Sequence, residues 1–596
     1  MSQTQSTSAL QGTGKFQHTL VEVVVCVVLA FVCVGSTPPG INESHYLPKA
    51  KYLADPTFAG GGDLFLSSHD SHFLATTLAG AASSYLSLPA VAWLGRVLAW
   101  TFMAFAWLRL AKVLGLPGLV RPVAFAGWFL INHYGNWAGE WFLGGFEAKV
   151  MAYPLAILGL AAILENRWNL GWVWLGASVA WHPVVGVWVG VTAAGLWLID
   201  SNRWLRLRQQ GLAIAIAVAI SLVGVLPALG GLGGSDIQDS VSAAQVHVFL
   251  RLSHHLLPRS FSMQHHLTGA VLLGLLAVAT AAYRRYGQSQ DHSKATGGLL
   301  IVAWGAVGLS LMGVLIDLAM RIGFPQILAA KLLRFYWFRW ADVIVPLAIS
   351  VIGFSWLGST LGPAGKSNMH DITLRGTVYL ALAWIMTGGF VFGHWRRRGD
   401  THIPPADQLM MQSLGPYSVS WDDLSEVSND LEGSAAASWL PSDTLLPQRY
   451  VDWLAVCQWI QENTPADSLW LTPPYQQTFK WYAGRAEVVC WKDVPQDNAA
   501  IIQWYRRLQQ CKLPRHSNGK PRGWNADELI ELAREYRFQW ILVDRTYQDQ
   551  PPLLESKYPL LVDNRSFAVF YISTRLLESS DRTTKNSEVS DDSPSH

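Results

Sequence analysis

The residues best suited to chemistry lie directly after the first apolar segment of the chain. Residues 42–70 hold a cluster of polar and acidic side chains: Asn42, Glu43, His45, Tyr46, Asp55, Asp63 and Asp70. Ionisable groups at the mouth of a membrane bundle cost free energy unless they pair or bind something. A carboxylate in that position can deprotonate or orient a hydroxyl group. We therefore predict that this loop carries the chemistry of the chain.

The composition places this loop in an integral membrane protein. Of 596 residues, 51% are hydrophobic and only 14% are charged, too few for a soluble protein of this length. Long apolar runs fill residues 18–395, whereas residues 396–596 have the composition of a soluble domain. The net charge of +2, with scattered basic residues, argues against nucleic acid as a partner.

Apolar runs long enough to cross a bilayer predict about eleven membrane spans. They are centred near residues 20–36, 89–114, 119–134, 149–165, 168–182, 184–200, 211–231, 267–284, 298–318, 341–358 and 374–394. Between 119 and 200 one apolar stretch is interrupted by His182 and Pro183, which indicates either two short helices or one kinked helix.

Basic residues in alternate loops predict a cytoplasmic N-terminus, with the candidate loops and the soluble domain on the outer face. Three arginines at 396–398 directly follow the last span and favour the cytoplasm instead. Either they bind phosphate groups at the surface, or the span count is wrong by one. We expect a multi-pass protein of the bacterial inner (plasma) membrane.

The domain organisation follows from these changes in composition. We predict a cytoplasmic segment at 1–17, a transmembrane domain at 18–395, a linker at 396–447, a soluble domain at 448–576 and a disordered tail at 577–596. Alternating helical and extended patterns in the soluble part predict a small α/β fold.

The chain resembles the GT-C superfamily of membrane glycosyltransferases. The resemblance rests on an uncleaved first span, an outer loop that opens with Asn42, Glu43 and Tyr46, and many further spans before an outer C-terminal domain. Residues 459–467 are also similar to a helix-to-strand junction in the soluble domains of such enzymes. In the family the loop opens with an acidic pair, one member of which is catalytic. Here the first position is Asn42, so only Glu43 matches.

The resemblance implies transfer of a sugar, with inversion, from a polyprenyl-phosphate donor to an extracytoplasmic glycan, lipid or protein acceptor. Glu43 would then be the general base. His45, Asp63 and Asp70 could share the acceptor or a divalent cation, although no cofactor is specified by the sequence. The alternative is a loop of solvated acids.

Three further groups of residues are candidates for binding the substrates. Glu140, Glu147 and Lys149 lie at the membrane entry of the second outer loop, where Lys149 could instead extend its ammonium group to the interface. The second group is the adjacent pair His254 and His255. Neighbouring side chains on a helix diverge by about 100°. This divergence disfavours a zinc site and favours a phosphate or sugar contact.

The third group is a basic and aromatic segment before the span at 341–358. Guanidinium groups offer forked donors to phosphate oxygens, and the aromatic neighbours suit a lipid chain. The alternative is an interfacial aromatic belt in which Arg339 pairs with Asp342. The candidate residues are Lys331, Arg334 and Arg339.

Two other functions remain open at this point. A transporter or flippase of a lipid-linked saccharide would use the same polar groups without chemistry, but it predicts several ionisable residues within spans, where we find chiefly Arg96. A non-catalytic scaffold would tolerate substitution of Glu43.

Overall fold

We describe the protein from a computed structural model. The described residues are 3–199, 203–231, 237–238, 241–287, 292–359, 446–512, 524–545 and 557–578, with isolated positions at 377–389, 514 and 517. The expected linker at 396–447 lies almost entirely outside them, as do most of the last predicted span at 374–394 and of the tail at 577–596.

The membrane part is a bundle of apolar helices. Their bounds are Gln3–Val34, Leu88–Val113, Val120–Gly135, Ala148–Leu164, Trp168–Trp181, Pro183–Ile199, Arg203–Gly230, Met263–Ala282, Ser293–Arg321 and Arg339–Ser359. Among the described residues, five helical segments are long and apolar enough to cross a membrane, beginning at Leu88, Leu207, Met263, Ser293 and Arg339. Shorter apolar helical segments lie at His18–Val34, Phe73–Ser83, Ala148–Leu164 and Pro183–Ile199, so the predicted count of about eleven spans stays a prediction.

The interruption at His182 separates two helices rather than kinking one. His182 has extended backbone angles and ends the helix Trp168–Trp181, and Pro183 opens the next helix. A proline is tolerated at the first position of a helix because that N–H group has no partner within the helix. The break places the His182 side chain among polar groups described below.

Short helices on one side of the bundle carry most of the candidate residues. Their bounds are Glu43–Ala54, Leu64–Ser67, Phe73–Ser83, Ala243–Gln245, Val246–Arg251, Ser253–Leu256, Pro258–Ser260 and Gln326–Leu333, of which Val246–Arg251 is a π-helix and Pro258–Ser260 a 3₁₀ turn. The first outer loop is therefore a folded layer in which Glu43, Ser44 and His45 are buried, not a solvated acidic loop.

The soluble part contains a mixed five-stranded sheet. The strands are ordered Ala486–Glu487, Leu469–Leu471, Trp540–Asp544, Phe567–Tyr571 and Leu560–Asp563. The first three are parallel and the last two are antiparallel to their neighbours. Helices pack around the sheet at Leu446–Asn463, Phe479–Ala483, Asn498–Gln510, Ala526–Tyr536 and Thr574–Glu578.

The outer loop layer and the soluble domain are in direct contact. A Cβ atom on Gly61 would lie 2.7 Å from the carbonyl oxygens of both Asp467 and Ser468. Only glycine allows the two backbones to approach this closely. The polar residues between the domains are therefore held at a close-packed junction.

Candidate functional site

Glu43 is completely buried and fully hydrogen-bonded. Its carboxylate accepts from the guanidinium group of Arg96 at 2.6 and 2.5 Å. It also accepts from the backbone N–H groups of Gly40 at 2.6 Å and Phe146 at 2.7 Å. Arg96 is only 1% exposed and belongs to the helix Leu88–Val113. Four donors therefore occupy the carboxylate that the sequence suggested as a base.

This geometry gives Glu43 a positioning role. A base must accept a proton from the substrate, and a carboxylate engaged by four protein donors has no acceptor position left for it. Glu43 instead joins the outer loop, the span that carries Arg96 and the loop before Ala148. Its assignment as general base stays a prediction that the contacts of this carboxylate do not support.

His45 and Asp63 belong to a buried ionic cluster at the junction of the two domains. The Lys480 ammonium group lies 3.0 Å from Asp63, 2.6 Å from Glu487 and 2.6 Å from Asp493. His45 Nδ1 is 2.7 Å from Asp493 Oδ1. Burial lowers the pKa of His45 to about 4, so the neutral ring donates to Asp493 near pH 7.

The same cluster contains three groups that could ligate a metal ion. Single ligand atoms of Glu487, Cys490 and Asp493 lie within 4.8 Å of one another. The Lys480 ammonium group is bonded to two of these residues and supplies the positive charge that a cation would bring. Asp63 also caps the helix Leu64–Ser67 through the Leu66 N–H group. These contacts make the cluster a structural link between the domains.

Two other acids, Asp70 and Glu147, each have one carboxylate oxygen without a hydrogen-bond donor among the described residues. Asp70 Oδ2 and Glu147 Oε1 are buried and accept no hydrogen bond from any described residue. The other oxygens are engaged, since Asp70 Oδ1 accepts from the His72 N–H group at 3.1 Å and Glu147 Oε2 from Asn42 Nδ2 at 3.0 Å. A buried acceptor without a donor is costly, and such an atom often marks a place where a ligand binds.

Glu147 lines a small cavity of about 20 Å³ between the first and second outer loops. Its polar lining includes Tyr46, His72, Thr76 and Glu147. Its remaining lining is apolar: Leu47, Ala50, Ala75, Ala79, Phe146 and Ala148. Asp70 accepts a hydrogen bond from the backbone N–H group of His72 and therefore lies beside the polar end. The cavity thus has a polar end and an apolar wall.

Glu140, Lys149 and Arg339 form a network behind Glu147. The Lys149 ammonium group lies 3.2 Å from Glu140 Oε1 and 3.4 Å from Glu147 Oε1. Arg339 Nε donates to Glu140 Oε2 at 3.0 Å, and its Nη1 lies 3.2 Å from His182 Nε2. Arg339 therefore pairs with Glu140 and not with Asp342, contrary to our alternative interpretation of this segment. The structure thus brings Arg339, which we placed in a separate candidate group, into contact with Glu140.

Asp342 instead holds the second outer loop in place. Its carboxylate accepts from the backbone N–H groups of Trp137 at 2.7 Å, Ala138 at 2.9 Å and Glu140 at 3.1 Å. These three hydrogen bonds from the backbone to the Asp342 carboxylate fix the loop that holds Glu140 in the network.

We expect Asp342→Asn to destabilise the protein by about 1–3 kcal/mol, because the amide retains one acceptor oxygen and leaves a buried N–H group unpaired. The midpoint of thermal denaturation of the purified chain measures the loss. Asp563→Asn is the control, since the Asp563 side chain is 49% exposed in its ion pair with Arg545 and such pairs contribute little. Equal midpoints for the two variants would contradict this role of Asp342.

The remaining predicted residues lie outside this group or are engaged elsewhere. His255 Nδ1 lies 2.5 Å from the Ala138 carbonyl oxygen, and the His254 ring packs on His255 at 4.1 Å. Arg334 donates to Asn498 Oδ1 at 2.9 Å, which joins the basic segment to the soluble domain. Lys331 is exposed. The proposed phosphate contact of this segment stays a prediction.

Several residues of the site were not identified from the sequence. Asn42 appeared there only as a departure from an acidic pair, yet its amide bridges Lys492 and Glu147. Arg96 appeared as an isolated charge within a span, because its partner Glu43 is 53 residues away. Lys492 belongs to the soluble domain, and the sequence contains no signal that it reaches the membrane loops.

Comparison with known proteins gives limited matches. Residues 451–511 match the model of a domain of unknown function, DUF6798. No curated protein matches the chain.

Two solved structures illustrate the structural likeness. One is ArnT from Cupriavidus metallidurans in the apo state, with a TM-score of 0.41, 13% identity, and coverage of 95% of this chain and 99% of that chain. The other is the archaeal oligosaccharyltransferase AglB from Archaeoglobus fulgidus in complex with an inhibitory peptide and a dolichol phosphate. It has a TM-score of 0.38, 11% identity, and coverage of 95% and 77%.

Proposed function

We propose that this chain is a membrane glycosyltransferase that moves a sugar from a polyprenyl-phosphate donor to a hydroxyl-bearing acceptor on the outer face. One observation carries the proposal. Two buried carboxylate oxygens, Asp70 Oδ2 and Glu147 Oε1, accept no hydrogen bond from any described residue, and Glu147 lines a cavity whose remaining wall is apolar.

The reaction needs one carboxylate on the acceptor side. The acceptor oxygen forms a bond to the anomeric carbon while the bond from that carbon to the phosphate oxygen breaks. The acceptor proton passes to the carboxylate, and the bonding electrons leave with the lipid phosphate. A base within hydrogen-bond reach of the hydroxyl group lowers the barrier of such a step. The leaving phosphate requires positive groups nearby.

Asp70 is the better candidate for the base. Its free oxygen is a buried acceptor, and its other oxygen is held by the backbone of His72, which fixes the direction of the carboxylate. Glu147 Oε1 lies 3.4 Å from the Lys149 ammonium group and is therefore partly neutralised. We assign Glu147 to orienting the acceptor hydroxyl group. Both free atoms are also oxygen ligands of the type that Mg²⁺ and Mn²⁺ bind.

The apolar wall supports a lipid donor. Ala50, Ala75, Ala79 and Phe146 line this cavity with apolar surface. A prenyl chain gains about 0.8 kcal/mol for each buried CH₂ group in such surroundings. A water-soluble sugar nucleotide would gain nothing from this wall.

The test uses the purified full chain with a radiolabelled sugar on farnesyl or undecaprenyl phosphate. Transfer predicts that labelled sugar leaves the lipid and that free lipid phosphate appears in equal amount. Assays with and without EDTA decide whether a divalent cation takes part. In sealed vesicles a flippase would move the intact labelled lipid between leaflets without releasing phosphate, and that result would overturn the proposal.

A further inference from the structure

Two cations near the cavity, the buried Arg251 and the half-buried Lys492, differ from most buried cations that the structure describes in this region. Arg96, Lys480 and Arg339 each form an ion pair with a carboxylate. Among the described residues, Arg251 and Lys492 have no carboxylate within 4.0 Å. A charge that is removed from water without an opposite charge is costly.

The hydrogen bonds of these two side chains are also incomplete. Lys492 Nζ donates to Asn42 Oδ1 at 2.8 Å, and this is its one protein acceptor in the described part of the chain. Lys49 provides the contrast, because its ammonium group donates to Phe65 O, Ser68 Oγ and His69 O. Lys49 is satisfied without a carboxylate, whereas two N–H groups of Lys492 remain for a ligand.

Arg251 and Lys492 are held together by the backbone of the soluble domain. Arg251 Nε donates to the Trp491 carbonyl oxygen at 2.9 Å, and its guanidinium carbon lies 5.1 Å from the centre of the Trp491 ring. The two charges are close enough to interact. Burial and then Arg251 lower the pKa of Lys492 to about 7. An anion bound between them would relieve the repulsion and restore the full charge of Lys492.

Asn42 links the cations Arg251 and Lys492 to the carboxylate of Glu147. The oxygen of its amide accepts from Lys492, and the nitrogen donates to Glu147 Oε2 at 3.0 Å. An aspartate at this position could accept from Lys492 but would repel Glu147. The asparagine therefore joins a cation of the soluble domain to an acid of the membrane domain, whose Oε1 atom lies 3.4 Å from the Lys149 ammonium group.

We propose that Arg251 and Lys492 bind the phosphate group of the lipid donor, so that the soluble domain completes the active site. Arginine offers forked donors and lysine a point charge, a combination suited to phosphate oxygens. The inference deepens the proposed function, on which the identity of the lipid rests. The leaving phosphate would then lie on the far side of Asn42 from Glu147.

The experiment measures binding of farnesyl phosphate, farnesol and inorganic phosphate to the purified full chain in detergent. Lys492→Gln and Arg251→Gln are each expected to weaken farnesyl phosphate binding about tenfold, equivalent to about 1.4 kcal/mol. Lys492→Arg retains the charge and should bind within a few-fold of the wild type. Lys557→Gln is the matched control, because Lys557 is an exposed lysine of the same domain that pairs with Asp527.

Three outcomes overturn the inference. The first is unchanged farnesyl phosphate affinity in Lys492→Gln and Arg251→Gln. The second is equal affinity for farnesol, which would show that the phosphate is not recognised. The third is equal affinity for inorganic phosphate, which would assign the site to a free anion instead of a lipid. An unchanged elution profile in size-exclusion chromatography shows that a variant is folded.

The failure of this inference can be separated from failure of the proposed function. If Asp70→Asn still transfers sugar while Lys492→Gln loses affinity for farnesyl phosphate, the base is wrongly assigned and the phosphate site stands. If Asp70→Asn abolishes transfer while Lys492→Gln binds farnesyl phosphate like the wild type, the enzyme proposal stands and the phosphate site falls.

Discussion

Asp70→Asn is expected to reduce the rate of sugar transfer by about 10²–10⁴, the contribution of a positioned general base. The substitution preserves the size of the side chain and an oxygen that can accept from the His72 N–H group. It removes the buried acceptor at Oδ2, which has no other partner among the described residues. The turnover number of the purified variant with a polyprenyl-phosphate sugar measures the effect.

Two companion variants separate chemistry from position. Glu147→Gln should raise KM for the acceptor more than it lowers the turnover number, because we assign it to orienting the hydroxyl group. Glu43→Gln should reduce the yield of folded protein, because it leaves the buried guanidinium group of Arg96 without its carboxylate. Folded Glu43→Gln protein should keep its turnover number.

Asp55→Asn is the control for Asp70→Asn. Asp55 lies in the same outer loop but is exposed, and its carboxylate contacts Thr57 alone among the described residues. Its substitution should leave the rate unchanged. A full rate in Asp70→Asn together with a large loss in folded Glu43→Gln would return the role of base to Glu43.

The second large effect is expected for Lys480→Met. This change leaves the buried carboxylates of Asp63, Glu487 and Asp493 without their shared cation. Removing one partner of a buried ion pair costs about 3–5 kcal/mol. Thermal denaturation of the purified chain, with limited proteolysis at the junction of the domains, measures the loss. We expect cleavage between the domains before the membrane helices unfold.

The deficit of Lys480→Met should depend on pH. In the wild type, burial raises the pKa of Glu487 from 4.5 to about 7, so the folded state binds this proton more tightly than the unfolded state. Its contribution to stability therefore falls as the pH rises from about 4.5 to 7. Without Lys480 the carboxylates repel one another more strongly, and protonation relieves that repulsion.

Lys480→Met should consequently be closer to the wild type at pH 5.5 than at pH 8. Lys557→Met is the control, since the exposed pair of Lys557 and Asp527 contributes little at either pH. An equal deficit for Lys480→Met at both pH values would show that the cluster is not held by charge.

Some features of this protein could be predicted from local sequence. Hydrophobic runs located the helices of the bundle to within a few residues, as at Ala148–Leu164 and Pro183–Ile199. The position of Pro183 marked a break because a proline has no N–H group to donate. The loop at 42–70 was recognised as chemically unusual because ionisable groups at the mouth of a membrane bundle cost free energy unless they pair or bind something. All of these follow from properties of neighbouring residues.

The roles of the individual acids could not be predicted in the same way. Glu43 and Asp70 are both carboxylates of one loop, and what separates them is the side chain that each one meets. Arg96, 53 residues further along, occupies Glu43, while no described residue donates to Asp70 Oδ2.

The sequence by itself therefore determined an apolar helical part, a more polar C-terminal part and an acidic loop after the first apolar segment, since composition and periodicity are local properties. Only the tertiary structure decided which acids are paired and which are free. It also brought Lys492 to Asn42 across 450 positions of the chain. Hydrogen bonding and charge pairing act over a few ångströms in space, so residues that are distant in sequence decide whether a carboxylate holds the fold or faces a substrate.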